Sequence, residues 1–112
     1  LGGRSPIAKA HTSPEFDLVS LGEYPAMMEN GQSSVTGEVY QVDDCTLAQL
    51  DLLEDHPHFY QRQCIKITFN NETHQVWTYL LPRLRFEGGQ HIEDGDWVHW
   101  VNSKARSLTS HN

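Results

Sequence analysis

The chain has 112 residues, 38% of them hydrophobic, which suits one compact domain spanning residues 1–112 rather than a disordered or multidomain protein. Fifteen acidic residues against eight basic ones give a net charge of −7, and that balance argues against nucleic acid as a partner, because phosphate binding needs clustered Lys and Arg. No apolar run reaches the length of a membrane span, so no membrane partner is expected.

Residues 1–14 are rich in Gly, Ser and Pro without a helical or strand period, and read as loop. Phe16 to Leu21 alternates for part of its length and reads as a strand that Gly22-Glu23-Tyr24-Pro25 ends. Residues 26–33 read as a loop centred on Asn30-Gly31. Val35 to Val42 is a second strand, in which Gly37 suggests a bulge or a close backbone approach. A helix with an aspartate cap follows, from about Asp44 to Glu54. Tyr60 to Phe69 is the longest strand, with Ile65, Ile67 and Phe69 on one face. Asn70-Asn71 turns it into His74 to Leu81, giving an antiparallel hairpin. A short strand near His91-Ile92 and a terminal helix opened by Asp94-Gly95-Asp96 complete the pattern. That helix docks Trp97 or Trp100 on the core, because terminal tryptophans usually pack on their own protein. Residues 102–112 are polar and Ser-rich and read as a disordered tail. The order of elements is α+β with antiparallel pairing dominant. Four strands are few for a curved sheet, and the remaining residues offer no obvious fifth.

The helix contains the most informative residue. At about 100° per residue, Leu47, Leu50 and Leu53 share one face, and Glu54 falls between Leu47 and Leu50 on the wheel, roughly 40° from the centre of the stripe. A carboxylate facing a core must be neutralised, paired or used. A proton-transfer group is one reading of Glu54; a helix-end glutamate turned to solvent is the other. His56-Pro57-His58 suggests a metal site at first sight, but Pro57 sets the bend and no third histidine has suitable spacing, so no metal is expected. Cys45 and Cys64 have neither metal nor redox spacing and read as free thiols in a reducing cytoplasm.

Three runs carry a resemblance: Val35 to Asp44, Leu47 to Glu54, and Phe59-Tyr60-Gln61-Arg62. Together they resemble the gamma-glutamylcyclotransferase-like superfamily, closest to its small bacterial members and the gamma-glutamylamine cyclotransferases. Leu21 to Met27, Trp77 to Leu80 and Asp94-Gly95-Asp96-Trp97 resemble further family segments, so the likeness covers about Phe16 to Val101. It implies a small β-barrel of mixed, mostly antiparallel strands with flanking short helices. It also implies a catalytic glutamate at the helix end, where Glu54 stands. Members open with a strand ending in Tyr-Gly-Ser/Thr-Leu, whose backbone N–H groups help to bind substrate. That motif is not among these 112 residues, and Leu1-Gly2-Gly3 would lie just beyond it, so the first family strand is expected to be missing from this sequence.

The reaction that the resemblance implies is an internal aminolysis of a small γ-glutamyl amine or peptide. The substrate's α-amino group attacks its own γ-glutamyl carbonyl, 5-oxoproline closes and the attached amine leaves. One carboxylate can take the proton from the α-ammonium and return it to the departing amine. No cofactor is needed. Tyr60 and Tyr79 are candidates for lining the pocket with free hydroxyls, and Tyr24 for its rim; packing at strand and turn positions is the alternative for all three. A non-catalytic small-molecule binding module of the same fold is the competing function. An interaction domain using Trp97 and Trp100 as exposed anchors is a third.

Overall fold

A computed structural model describes residues 5–86 and 88–109, with side chains as far as Ser103. Its elements in chain order are β1 (Ala8–Thr12), β2 (Phe16–Ser20), β3 (Pro25–Glu29), β4 (Thr36–Val39), α1 (Asp44–Leu53), β5 (Gln61–Phe69), β6 (Glu72–Leu80), a 3-10 turn (Arg83–Arg85), β7 (Gln90–His91) and α2 (Trp97–Thr109). One sheet has the strand order β4-β1-β5-β6 and the other β3-β2-β7. All strand pairs are antiparallel, and one isolated parallel bridge joins Thr36 to Asp96. Thr12 N–H to the Val35 carbonyl at 2.9 Å extends the β1–β4 ladder, and Leu81 N–H, just after β6, reaches the Met27 carbonyl of β3 at 2.8 Å and so joins the two sheets. The result is a curled half-barrel with two helices, the α+β class that the order of elements implied.

The longest pairing is β5 with β6. Asn70 and Asn71 both adopt left-handed φ values, 52° and 60°, the geometry of a two-residue type I′ turn. That turn leaves Phe69 opposite Glu72 and carries the register without slip to Gln61 opposite Leu80. β2 feeds two cores because alternate residues leave opposite faces. Phe16 and Leu18 join Val35, Leu80 and Ile92, with Trp97 and Trp100 packed against them. Val19 joins Ala26, Met28 and Leu81, with Tyr60 and Phe86 packed against them.

Four expectations are corrected. The opening loop contains β1, and the loop after Tyr24 contains β3. Their buried side chains are Ala10 and Thr12 in one and Ala26 and Met28 in the other, and with Thr12 the single β-branched residue of the two strands they carry little of a strand's usual signature. These supply the strands that the sequence seemed to lack. Gly37 pairs with Ala10 in unbroken register, and a Cβ there would meet nothing within 4 Å, so it marks neither bulge nor close approach. The terminal helix runs on through Thr109, where a tail was expected from residue 102; its first turns are anchored by Trp97 and Trp100, and residues 110–112 lie outside the described residues.

Gly95 closes the half-barrel. Its carbonyl accepts from Thr36 N–H at 2.9 Å, its own N–H donates to the Ile92 carbonyl at 3.0 Å, and its φ is +69°. A Cβ at this position would collide with the Ser34 carbonyl oxygen. Gly95→Ala therefore costs about 2 kcal/mol or more of folding stability. Urea denaturation should show a lower midpoint with an unchanged slope.

Candidate functional site

The Asp43 side chain caps α1 by accepting from Thr46 N–H at 2.7 Å. No residue of the helix is fully buried; Thr46, Leu47, Leu50, Asp51 and, at the cap, Glu54 are half-buried. The last four occupy about 100° of the wheel, and Thr46 extends the stripe by about 40°. Leu53, expected on the core face, is 78% exposed. It lies about 60° beyond Leu50 on the wheel, and the polar ties of Asp51 turn the helix away from it.

Those ties reach the hairpin. The Tyr79 hydroxyl donates to Asp51 Oδ1 at 2.6 Å, and Arg62 Nε lies 3.0 Å from the same oxygen. Tyr79 and Arg62 face each other across the ladder. The Arg62 guanidinium also lies over the Trp77 ring, 4.5 Å from its centroid.

The chain reverses after Glu54. Asp55 takes a left-handed φ of 53°, Phe59 N–H reaches the Asp55 carbonyl, and Tyr60 N–H reaches the Glu54 carbonyl at 3.3 Å. This hairpin bend brings Tyr60 beside Glu54. Burial pushes the Glu54 carboxyl above the usual glutamate range. Burial also raises the Tyr60 hydroxyl, and the charges of Glu54 and then Tyr24 raise it further. Tyr79 is raised most, first by burial, then by the hydrogen bond and charge of Asp51, with Glu54 adding to the effect and Arg62 opposing it. Glu54, Tyr60, Tyr79 and Tyr24 thus share one electrostatic neighbourhood. Tyr24 is 56% exposed, on the turn between β2 and β3. The sequence leads us to expect a free Tyr79 hydroxyl; instead its proton is committed to Asp51.

A cavity of about 580 Å³ opens on the four-stranded sheet, lined by Val39, Leu47, Leu50, Ile65 and Val76 among others. Tyr79 borders it; Glu54, Tyr60 and Tyr24 do not. His56 is occupied as an acceptor, its Nδ1 taking Arg62 N–H at 3.0 Å. Among the described residues no three His, Cys, Asp or Glu side chains converge as metal ligands. Both cysteines are free and exposed. Trp97 and Trp100 are half-buried on the first core, which corrects the reading of them as exposed anchors. Among the described residues no helix is long and apolar enough to cross a membrane. Sequence reading missed Asp51, although its place 40° or so from Leu47 on the wheel was a signal.

The end of α1 thus carries a half-buried carboxyl of raised pKa, electrostatically coupled to Tyr60 and Tyr79, on a curled antiparallel half-barrel. The profile of the family described as "Gamma-glutamyl cyclotransferase, AIG2-like" matches residues 1–99. A Vibrio cholerae protein named "Putative gamma-glutamylcyclotransferase" is 42% identical over 95 residues, covering 85% of this chain and 77% of that one. The gamma-glutamylcyclotransferase family protein YtfP of Escherichia coli is 39% identical over 83 residues, covering 74% and 68%. The solution NMR structure of E. coli YtfP superposes with a TM-score of 0.66 at 33% identity, over 87% of this chain and 80% of that one. A Pyrococcus horikoshii crystal structure superposes with a TM-score of 0.64 at 16% identity, over 95% and 81%, a likeness of fold alone. The chain belongs to the gamma-glutamyl cyclotransferase, AIG2-like family.

The raised pKa has a consequence for stability. The folded protein holds the Glu54 proton more tightly than the unfolded chain does. Glu54 therefore costs nothing below the unfolded glutamate pKa, and its penalty grows as pH rises through the window up to the folded value. Glu54→Gln removes that dependence. Thermal melts should show the variant gaining on wild type between acidic and neutral pH, with the gap closing again in acid.

Proposed function

We propose that the chain converts a small γ-glutamyl amine or peptide into 5-oxoproline and the free amine, with Glu54 as the acid–base. The observation that carries this reading is the half-buried carboxyl of Glu54, whose affinity for a proton is raised by burial, within electrostatic reach of Tyr60 and Tyr79. Membership of the family and the names of its relatives support the reaction class.

The chemistry follows from the substrate's own tether. Its α-amine and γ-carbonyl sit in one molecule, so holding it folded supplies much of the rate. Glu54 as carboxylate takes a proton from the α-ammonium. The freed amine attacks the γ-carbonyl, and Glu54 returns the first proton to the leaving nitrogen as its C–N bond breaks; the ring nitrogen sheds its second proton on becoming an amide, and Glu54 passes this one too to the departing amine, which leaves as an ammonium. Five ring atoms close and no net proton is consumed. A carboxyl with a pKa moved toward neutrality serves both steps better than an ordinary one. Tyr60 and Tyr79 flank the reacting atoms, and Tyr24 forms the outer rim. This route uses only proton transfers, without metal or organic cofactor.

One observation favours a second reading, a non-catalytic binding module: Glu54 does not border the 580 Å³ cavity. Such a module would bind γ-glutamyl compounds and release them intact. Purified protein should be incubated with a panel of γ-glutamyl amines and dipeptides, and 5-oxoproline followed by mass spectrometry. Wild type should release it from at least one compound, and Glu54→Gln should be slower by about 10²- to 10⁴-fold. Binding without release by wild type would select the module instead, and wild-type turnover by the variant would remove Glu54 from the chemistry.

A further inference from the structure

Asp51 has no place in the mechanism above, yet it is the most connected carboxylate of the region. It lies one turn before Glu54 on the same face of α1. A single oxygen, Oδ1, accepts the Tyr79 hydroxyl proton at 2.6 Å and stands 3.0 Å from Arg62 Nε. The contact with Arg62 is a charge pair rather than an aligned hydrogen bond, since the buried Nε has no hydrogen-bond partner. Arg62 is itself fixed on three sides: its guanidinium by Trp77, its backbone N–H by His56, and its strand position opposite Tyr79. The helix end that carries Glu54 therefore rests on the hairpin through one carboxylate.

The direction of the Tyr79 hydrogen bond matters. A tyrosine hydroxyl has one proton to donate. With that proton committed to Asp51, the oxygen can only accept from a guest. It can meet an ammonium or an N–H, and it cannot donate to a carbonyl or carboxylate. The groups that face Tyr79 are Asp51 and Glu54 from the helix side and Arg62 from the neighbouring strand.

We propose that Asp51 is a positioning residue: it orders the Tyr79 hydroxyl as an acceptor for the α-ammonium of the substrate and anchors the end of α1 so that Glu54 meets the same nitrogen. The role in turnover rests on the cyclotransferase reading; the Asp51–Tyr79 coupling does not. The proposal makes this corner of the site selective for a cationic amine over a neutral acyl group.

The test joins a kinetic and a spectroscopic arm, using Asp51→Asn, Tyr79→Phe and the double variant. Asp51→Asn should lower kcat by about 10- to 100-fold while KM moves by less than about threefold, because a misplaced acid–base harms the chemical step most. The double variant should be little worse than either single one, since both break the same link. Independent, additive losses would overturn the proposal, as would wild-type kcat in Tyr79→Phe, a variant that loses only one oxygen. In the spectroscopic arm, tyrosine 13Cζ signals are titrated by NMR, with Tyr79→Phe identifying the Tyr79 signal. Asp51→Asn should bring the Tyr79 transition to lower pH, because the hydrogen bond and charge of Asp51 hold it up beyond the effect of burial. An unmoved transition would overturn the proposal without any reference to activity. Full turnover by Glu54→Gln would instead sink the acid–base reading while the NMR comparison still decides whether Asp51 holds Tyr79.

Discussion

Asn70 and Asn71 set Phe69 opposite Glu72, and every later pair of the β5–β6 hairpin follows from that start. Arg62 must face Tyr79, and Cys64 must face Trp77. A slip of one residue would send Tyr79 to the other face of the sheet and deprive Asp51 of its hydrogen-bond donor. The helix would then lose its hydrogen bond to the hairpin through Asp51, and Glu54 would lose Tyr79 as a neighbour. The register of this ladder is thus the constraint on which the geometry of the site rests.

The helix itself is a weak element. Ten residues make a short helix, and none of them is fully buried. Its stability comes from the Asp43 cap, from Leu47 and Leu50 against the cavity wall, and from Asp51. A helix that ends in a desolvated carboxyl is less stable than one that ends in an apolar residue. The left-handed Asp55 ends it abruptly, so that Tyr60 returns to cover the exposed end. Desolvation and the return of the chain are two outcomes of one bend. Functional sites commonly carry such local costs, which the surrounding fold offsets.

The strongly patterned elements were legible from sequence. The Asn-Asn turn, the alternation of Ile65, Ile67 and Phe69, and the aspartate cap each follow from a local rule, and each stands where the rule puts it. β1 and β3 were not legible. Ala8-Lys9-Ala10-His11-Thr12 and Pro25-Ala26-Met27-Met28-Glu29 alternate in burial, but Ala and Met carry little strand preference, and neighbouring strands impose the conformation. At the site, Glu54 stood out because it interrupted a run of leucines. Asp51 did not, because an aspartate on a short helix reads as solvent-facing until Tyr79 and Arg62, from distant strands, are seen against it. The same partners turned Leu53 outward, which a wheel drawn for leucines alone could not foresee.

Proton affinity at Glu54 is the property on which the proposed chemistry turns, and it can be read directly. The side-chain carboxyl carbons of 13C-labelled glutamates can be titrated by NMR, with the Glu54→Gln variant identifying the signal in question. A desolvated Glu54 must change protonation above the range of the chain's exposed glutamates. A transition within their range would contradict a carboxyl prepared by burial for accepting and returning a proton.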